Sequence, residues 1–234
     1  MLTTSSLGRI ALGVALAAFG LENLVIAGFL PELQHAPAAL PAALAYLNGA
    51  VLVGAGACLI GDRRVVVAAR AVTALLALWL IAFYAPALIA APRNGGVWTG
   101  AFEVLAIAGA AALLGFPARP AVGRVAFACS LPVFGLLHVI YIDYVASVIP
   151  GWIPAHVFWG YATGLAHAAA GVALLAGIRA RLAASLLAVM FGSWVVILHL
   201  PRALAAGHRP EWTSLCVALA MAAGSLLLVE RSPR

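Results

Sequence analysis

The residues best equipped for chemistry in this chain stand inside runs of apolar residues. His138 lies near the end of one run, His167 follows Tyr161 and Thr163 in the next, and His199 sits beside Pro201 and Arg202 in a third. In the first half of the chain, Glu22 precedes Asn23, Glu103 lies a few residues beyond Trp98, and Tyr84 stands before Pro86 much as His199 stands before Pro201. Imidazoles facing one cavity can ligate a metal or a haem iron, or hydrogen-bond a quinone carbonyl. The competing reading is a structural histidine that hydrogen-bonds a neighbouring carbonyl. A closed metal site needs about four donors, and no His-x3-His pair or cysteine cluster supplies them, so no metal site is expected. Haem, which two axial ligands can hold, ranks behind a quinone-type contact.

Carboxyls within lipid-length segments are costly and mark proton or ion sites by default. Glu22 and Glu103 read as a proton-accepting or cation-binding pair between the first and fourth helices. Alternatively, they hold the first half together through hydrogen bonds to Asn23, Tyr46 or Asn48. His156, Gly160, Thr163 and His167 recur at i, i+4, i+7 and i+11 and share one helical face. That stripe lines either a path into the membrane or a packing seam. The chain has no glycine-rich phosphate loop and no Ser/His/Asp nucleophile set, and nothing in the spacing decides whether a reaction is catalysed.

The elements that must position these side chains follow from composition. Apolar residues make up 65% and charged residues 9%, against roughly half and a quarter in soluble domains. No water-soluble surface can be built from that mixture. A bilayer core requires about 20 apolar residues per helix, and eight such runs lie near 7–28, 40–60, 65–91, 98–116, 122–147, 154–176, 180–204 and 212–229. They are apolar on every side, unlike the alternating strands of a lipid-facing barrel. The expected fold is all-α: a polytopic membrane protein of eight transmembrane helices arranged as two parallel-repeat four-helix bundles.

The net charge of +6 signals topology and not nucleic acid. Arg9, Arg63, Arg64, Arg70, Arg119, Arg124, Arg179, Arg181, Arg231 and Arg234 fall on the side of the termini and even-numbered connections, and only Arg93, Arg202 and Arg209 on the other. The positive-inside bias then places both termini in the cytoplasm of a bacterial-type inner membrane. Trp98, Trp152, Trp159 and Trp212 gather near the outer boundary, as an interfacial belt does. Cys58, Cys129 and Cys216 are dispersed and read as buried space-filling thiols.

Sliding the sequence on itself by about 115 residues brings its halves into register. Leu7-Gly8-Arg9-Ile10 meets Val122-Gly123-Arg124-Val125, and Phe19-Gly20-Leu21 meets Phe134-Gly135-Leu136. Asn23 meets His138, Tyr46 meets Tyr161, Asn48-Gly49 meets Thr163-Gly164, Trp79 meets Trp194, Tyr84 meets His199 and Pro86 meets Pro201. The division expected is a four-helix unit over 1–117 and a second over 118–234. Because the first helix recurs in mid-chain, it is expected to be a structural helix and not a cleaved signal. Gly49 and Gly56, and Gly160, Gly164 and Gly171, mark the second helix of each unit as its most buried one. Pro86 is expected to kink its helix near the outer surface, and Pro201 either to do the same or to shape the mouth of a cavity.

The second half carries Phe134-Gly135 with His138, Pro150-Gly151-Trp152-Ile153-Pro154, Tyr161-Ala162-Thr163-Gly164, His199-Leu200-Pro201 and Glu211-Trp212-Thr213. In these stretches it resembles the DoxX-like family of small four-helix membrane proteins. The first half keeps the frame but has Asn23 and Tyr84 where the second has His138 and His199. The family takes its name from a subunit associated with a thiosulfate:quinone oxidoreductase. The resemblance therefore implies a redox-associated subunit contacting a quinone or similar ligand in an outer-leaflet pocket, with a partner protein supplying electrons. The alternative is a non-catalytic small-molecule binder or transporter, or a membrane scaffold. The residues expected at such a pocket are His138, His199, His167, Glu22, Glu103, Asn23, Tyr84 and Thr163. Beyond the lipid bilayer and that redox partner no other partner is implied, and the oligomeric state stays open.

Overall fold

The computed structural model describes residues 3–232; Arg234, counted above with the basic residues of one face, lies outside them. Lipid offers the backbone no hydrogen-bond partner, so a spanning segment must pair its N–H and C=O groups internally. Among the described residues the chain is helical and contains no strand. Eight helices are long and apolar enough to cross a membrane: α1 (Thr4–Ile26), α2 (Ala42–Ile60), α3 (Val65–Ala90), α4 (Gly95–Gly115), α5 (Pro120–Ile140), α7 (His156–Ala176), α8 (Ala180–Ala206) and α9 (Arg209–Arg231). A short helix, α6 (Ile142–Val148), lies between α5 and α7.

The run expected to be one helix over 122–147 is broken. Tyr141 leaves helical geometry at φ −112° and ψ 37°. Its ring abuts Gly95 and its hydroxyl donates to the Arg93 carbonyl at 3.1 Å, which ties the break to the start of α4. Pro86 and Pro201 disturb the hydrogen-bond ladders of their helices without ending them. A π turn, Leu80–Tyr84 in α3 and Val195–His199 in α8, precedes each one. It is closed by the Ala85 N–H on the Leu80 carbonyl and the Leu200 N–H on the Val195 carbonyl. Proline has no N–H to continue the ladder, and a widened turn is one way a helix absorbs that loss.

Neighbouring helices pack α1 on α2, α3 on α4, α5 on α7 and α8 on α9. The contacts then cross between the halves of the chain: α1 lies against α9, α4 against α5, and α4 and α9 meet each other. The most buried helices are therefore the fourth of each half, not the second. Of the most apolar stretch, 72% is buried in α4 and 67% in α9, against 39% in α2 and 33% in α7. α4 and α9 are each enclosed by helices of both halves and by each other, whereas α2 and α7 keep an exposed face, on which Leu47 and Leu165 stand.

The glycines of α2 and α7 nevertheless do what their spacing suggested. A Cβ on Gly20 would stand 2.6 Å from the Gly49 carbonyl oxygen, and one on Gly49 would stand 2.7 Å from that of Gly20. Gly13 and Gly56 oppose each other one turn or two further along. Between α4 and α5, a Cβ on Gly109 would meet the Phe127 nitrogen at 2.6 Å. Replacing Gly20 with alanine should destabilise the protein by about 1–3 kcal/mol, the usual cost of overpacking. Alanine at Gly54, whose Cβ would meet open space, is the control, and thermal unfolding in detergent separates the two.

Candidate functional site

A cavity of about 1050 Å³ lies toward the end of the molecule that carries the loops 27–41, 91–94 and 149–155. It is built mainly from the second half, by α5 through α9, with α4 of the first half closing one side. Glu103, His138, Thr163, His167 and His199 all line it. Glu22, Asn23 and Tyr84, expected in the same pocket, do not.

His138 and His167 form the polar centre. Their ring centroids are 5.0 Å apart, and Trp194 lies 6.2 Å from the first and 5.4 Å from the second. Each imidazole binds the carbonyl one turn back on its own helix, His138 Nδ1 with Phe134 O and His167 Nδ1 with Thr163 O, both at 2.8 Å. A carbonyl oxygen only accepts, so Nδ1 carries the proton in each ring. In the neutral imidazole, Nε2 is then a bare acceptor or metal ligand. Neither Nε2 has a partner among the described residues. Close packing fixes the pair further, because a Cβ on Gly164 would stand 2.8 Å from the Cβ of His138.

Around this centre the polar groups divide into paired and free. Thr163 donates to Trp159 O at 2.8 Å, so its hydroxyl proton is already engaged. Arg202 and Glu211 hold each other through two hydrogen bonds of 3.1 and 2.8 Å, a role for Glu211 beyond complementing the α9 dipole. His199 leaves a buried Nδ1 without a partner. Glu103 makes no hydrogen bond or ion pair among the described residues. The stripe on α7 splits: Thr163 and His167 line the cavity, Gly160 faces Ile142 of α6, and His156 lines nothing there. Three or more His, Cys, Asp or Glu in metal-binding proximity are not found among the described residues.

Glu22 and Glu103 are not the pair expected. Glu22 points from α1 to α9, where Thr213 donates to it at 2.5 Å and Arg209 lies 3.9 Å away. The reason is the crossing of the halves, which sets α1 beside α9 and leaves α4 beside the second half. Asn23 is fully buried in a network of its own. It exchanges amide hydrogen bonds of 2.8 and 3.0 Å with Gln34, and takes another from Asn48, whose side-chain oxygen accepts from Trp79. Tyr84 donates to the Leu33 carbonyl at 2.7 Å and stacks on His35. Leu30, Leu33 and Gln34, in the connection between α1 and α2, are all buried.

Sequence reasoning assigned no chemistry to Glu32 or Trp194, yet both line the cavity. Trp194 carried a signal in its register with Trp79. Glu32 carried none, because its position depends on a loop that folds inward. Compared with known protein families, curated proteins and solved structures, the chain finds no match.

Glu32 lies outside the spanning helices. Burial opposes its charge, but the hydrogen bonds from Arg209 at 2.7 and 3.1 Å more than offset this and hold its carboxyl below the ordinary glutamate value. A depressed acid contributes stability that is full at neutral pH and lost as the pH falls through its folded value. Glu32→Gln should therefore flatten the acid limb of a stability–pH profile while leaving the neutral region less stable, as read by thermal unfolding across the acid range.

Proposed function

We propose that this chain is a redox-associated membrane subunit whose cavity takes a quinone-class ligand between His138, His167 and Trp194. The observation that supports this reading most is the pair of imidazoles held by their own helices with Nε2 left unpartnered at the wall of an aromatic-lined cavity. A flat ring of quinone size suits walls of Trp194, Trp159 and Tyr144. We also place the chain among DoxX-like proteins, as a tandem duplication of their four-helix unit. The motifs of the second half support this, and so do the π turns of α3 and α8, set about 115 residues apart like the sequence register. A bacterial-type inner membrane with the termini in the cytoplasm is supported by the asymmetry of the arginines. Arg9 also donates to the Leu59 carbonyl, and Arg70 to the Gly115 carbonyl at 2.8 Å, at helix C-termini on that face.

The purified protein should show saturable binding of a short-chain quinone or its quinol, followed by quenching of tryptophan fluorescence, and no haem band in its optical spectrum. His138→Ala should weaken that binding by about tenfold, through loss of the imidazole's packing against the ring. Absence of saturable binding, with His138→Ala indistinguishable from the unaltered protein, refutes the reading.

One observation favours a second reading. Glu103 has no partner among the described residues, and a lone carboxyl in an aromatic-lined cavity suits a small lipophilic cation, as in a binder or transporter. Uptake of such a cation into proteoliposomes, abolished by Glu103→Gln, would establish it. Glu22→Gln is the less informative variant, because Glu22 is already bound to Thr213.

A further inference from the structure

The two halves treat matched positions differently. Asn23, Asn48, Trp79 and Tyr84 of the first half all end in contacts that trace to one inward-folded segment, Leu30–Gln34. Gln34 supplies an N–H to Asn23 Oδ1 at 3.0 Å and takes one from Asn23 Nδ2 at 2.8 Å. Its side-chain oxygen also accepts from the Leu30 N–H at 2.6 Å, which closes the segment on itself. Leu33 offers its carbonyl to Tyr84. The chain is thus its own occupant there.

In the sequence register, the second half sets His138, Thr163, Trp194 and His199 at these positions, and all four line the cavity. No segment among the described residues fills it. At the His138–His167 pair, what the protein offers an occupant is one-sided. His138 Nε2 and His167 Nε2 are acceptors, because each Nδ1 proton is committed to a carbonyl. Thr163, on the same wall, has committed its own proton. Donors stand elsewhere around the cavity, in the His199 ring, the Trp194 indole and the Arg202 guanidinium, which gives two N–H groups to Glu211.

We infer that the His138–His167 end of the cavity selects its ligand by hydrogen-bond donors, and that the class it takes is a planar phenol or hydroquinone. Its hydroxyls point at Nε2 of His138 and His167, and its ring lies against Trp194. The donating hydroxyl does for His138 what the Gln34 N–H does for Asn23. A quinone carbonyl in the same place would set lone pair against lone pair, and a buried polar pair left unmatched is costly. This rests on the cavity being the ligand site proposed above, and it adds the redox form that the site prefers.

The test uses the full chain in detergent or nanodiscs under anaerobic conditions. Calorimetry compares trimethylhydroquinone, the corresponding trimethylbenzoquinone, and the dimethyl ether of the hydroquinone, which keeps the ring and removes both donors. The expected result is that the hydroquinone binds at least about tenfold more tightly than either of the others. In His138→Phe, which keeps the ring volume and loses the acceptor, the hydroquinone should fall toward the ether while the ether changes little. Equal or tighter binding of the benzoquinone or the ether overturns the donor preference and leaves the cavity reading standing. Binding of none of the three overturns both. The three-ligand comparison is made on the unaltered chain and needs no variant to fold.

Discussion

Backbone pressed on backbone at glycine is the contact on which this molecule depends. Apolar side chains gain little by exchanging lipid for one another, so helices in a membrane associate where small residues let them approach closely. Here that happens along α1 and α2 at Gly13, Gly20, Gly49 and Gly56, and between α4 and α5 at Gly109 and Gly123. Gly8 brings α1 to the Ala223 carbonyl of α9, where a Cβ would stand at 3.0 Å. These seams carry each half onto the other and make α4 and α9 the buried centre. The cavity is a consequence. It occupies the space between that centre and α5 through α8, where Gly164 and Gly171 draw α7 onto α5.

Polar groups enclosed by lipid-facing helices must find partners, and the two halves find them in different ways. In the first half the loop after α1 turns inward and satisfies Asn23 and Tyr84 with its own atoms, while Trp79 is bound through Asn48. The result is a filled interior in which amide geometry is fully matched. The second half leaves His199 Nδ1 buried without a partner among the described residues, and the imidazoles of His138 and His167 meet the cavity with Nε2 unpaired there. A buried polar atom without a partner is uncommon and calls for a cause; the ligand proposed here completes the two Nε2 atoms. The proline-linked π turn of α8 belongs to the same wall, since Ile197, Leu198 and His199 all line the cavity.

Length, hydropathy and the positions of Gly and Pro in the sequence determined the helical class, the eight spans and where proline disturbs a helix, but not the break at Tyr141, which a contact with the start of α4 fixes. These are local or nearly local properties: a run of apolar residues spans lipid whatever lies beside it, and a proline breaks the ladder of its own helix. The histidines were legible for the same reason, as costly residues in apolar surroundings. Only the tertiary structure decided which of the polar residues share a space. Glu22 and Glu103 look equivalent in sequence, yet one meets Thr213 and Arg209 and the other lines the cavity. That outcome depends on α1 packing on α9 rather than α4. Nor does composition show that Leu30–Gln34 folds inward, because its burial is fixed by partners as distant in the chain as Tyr84. Partner choice among uniformly apolar helices is set by shape complementarity over many long-range contacts, and no single residue's type records it.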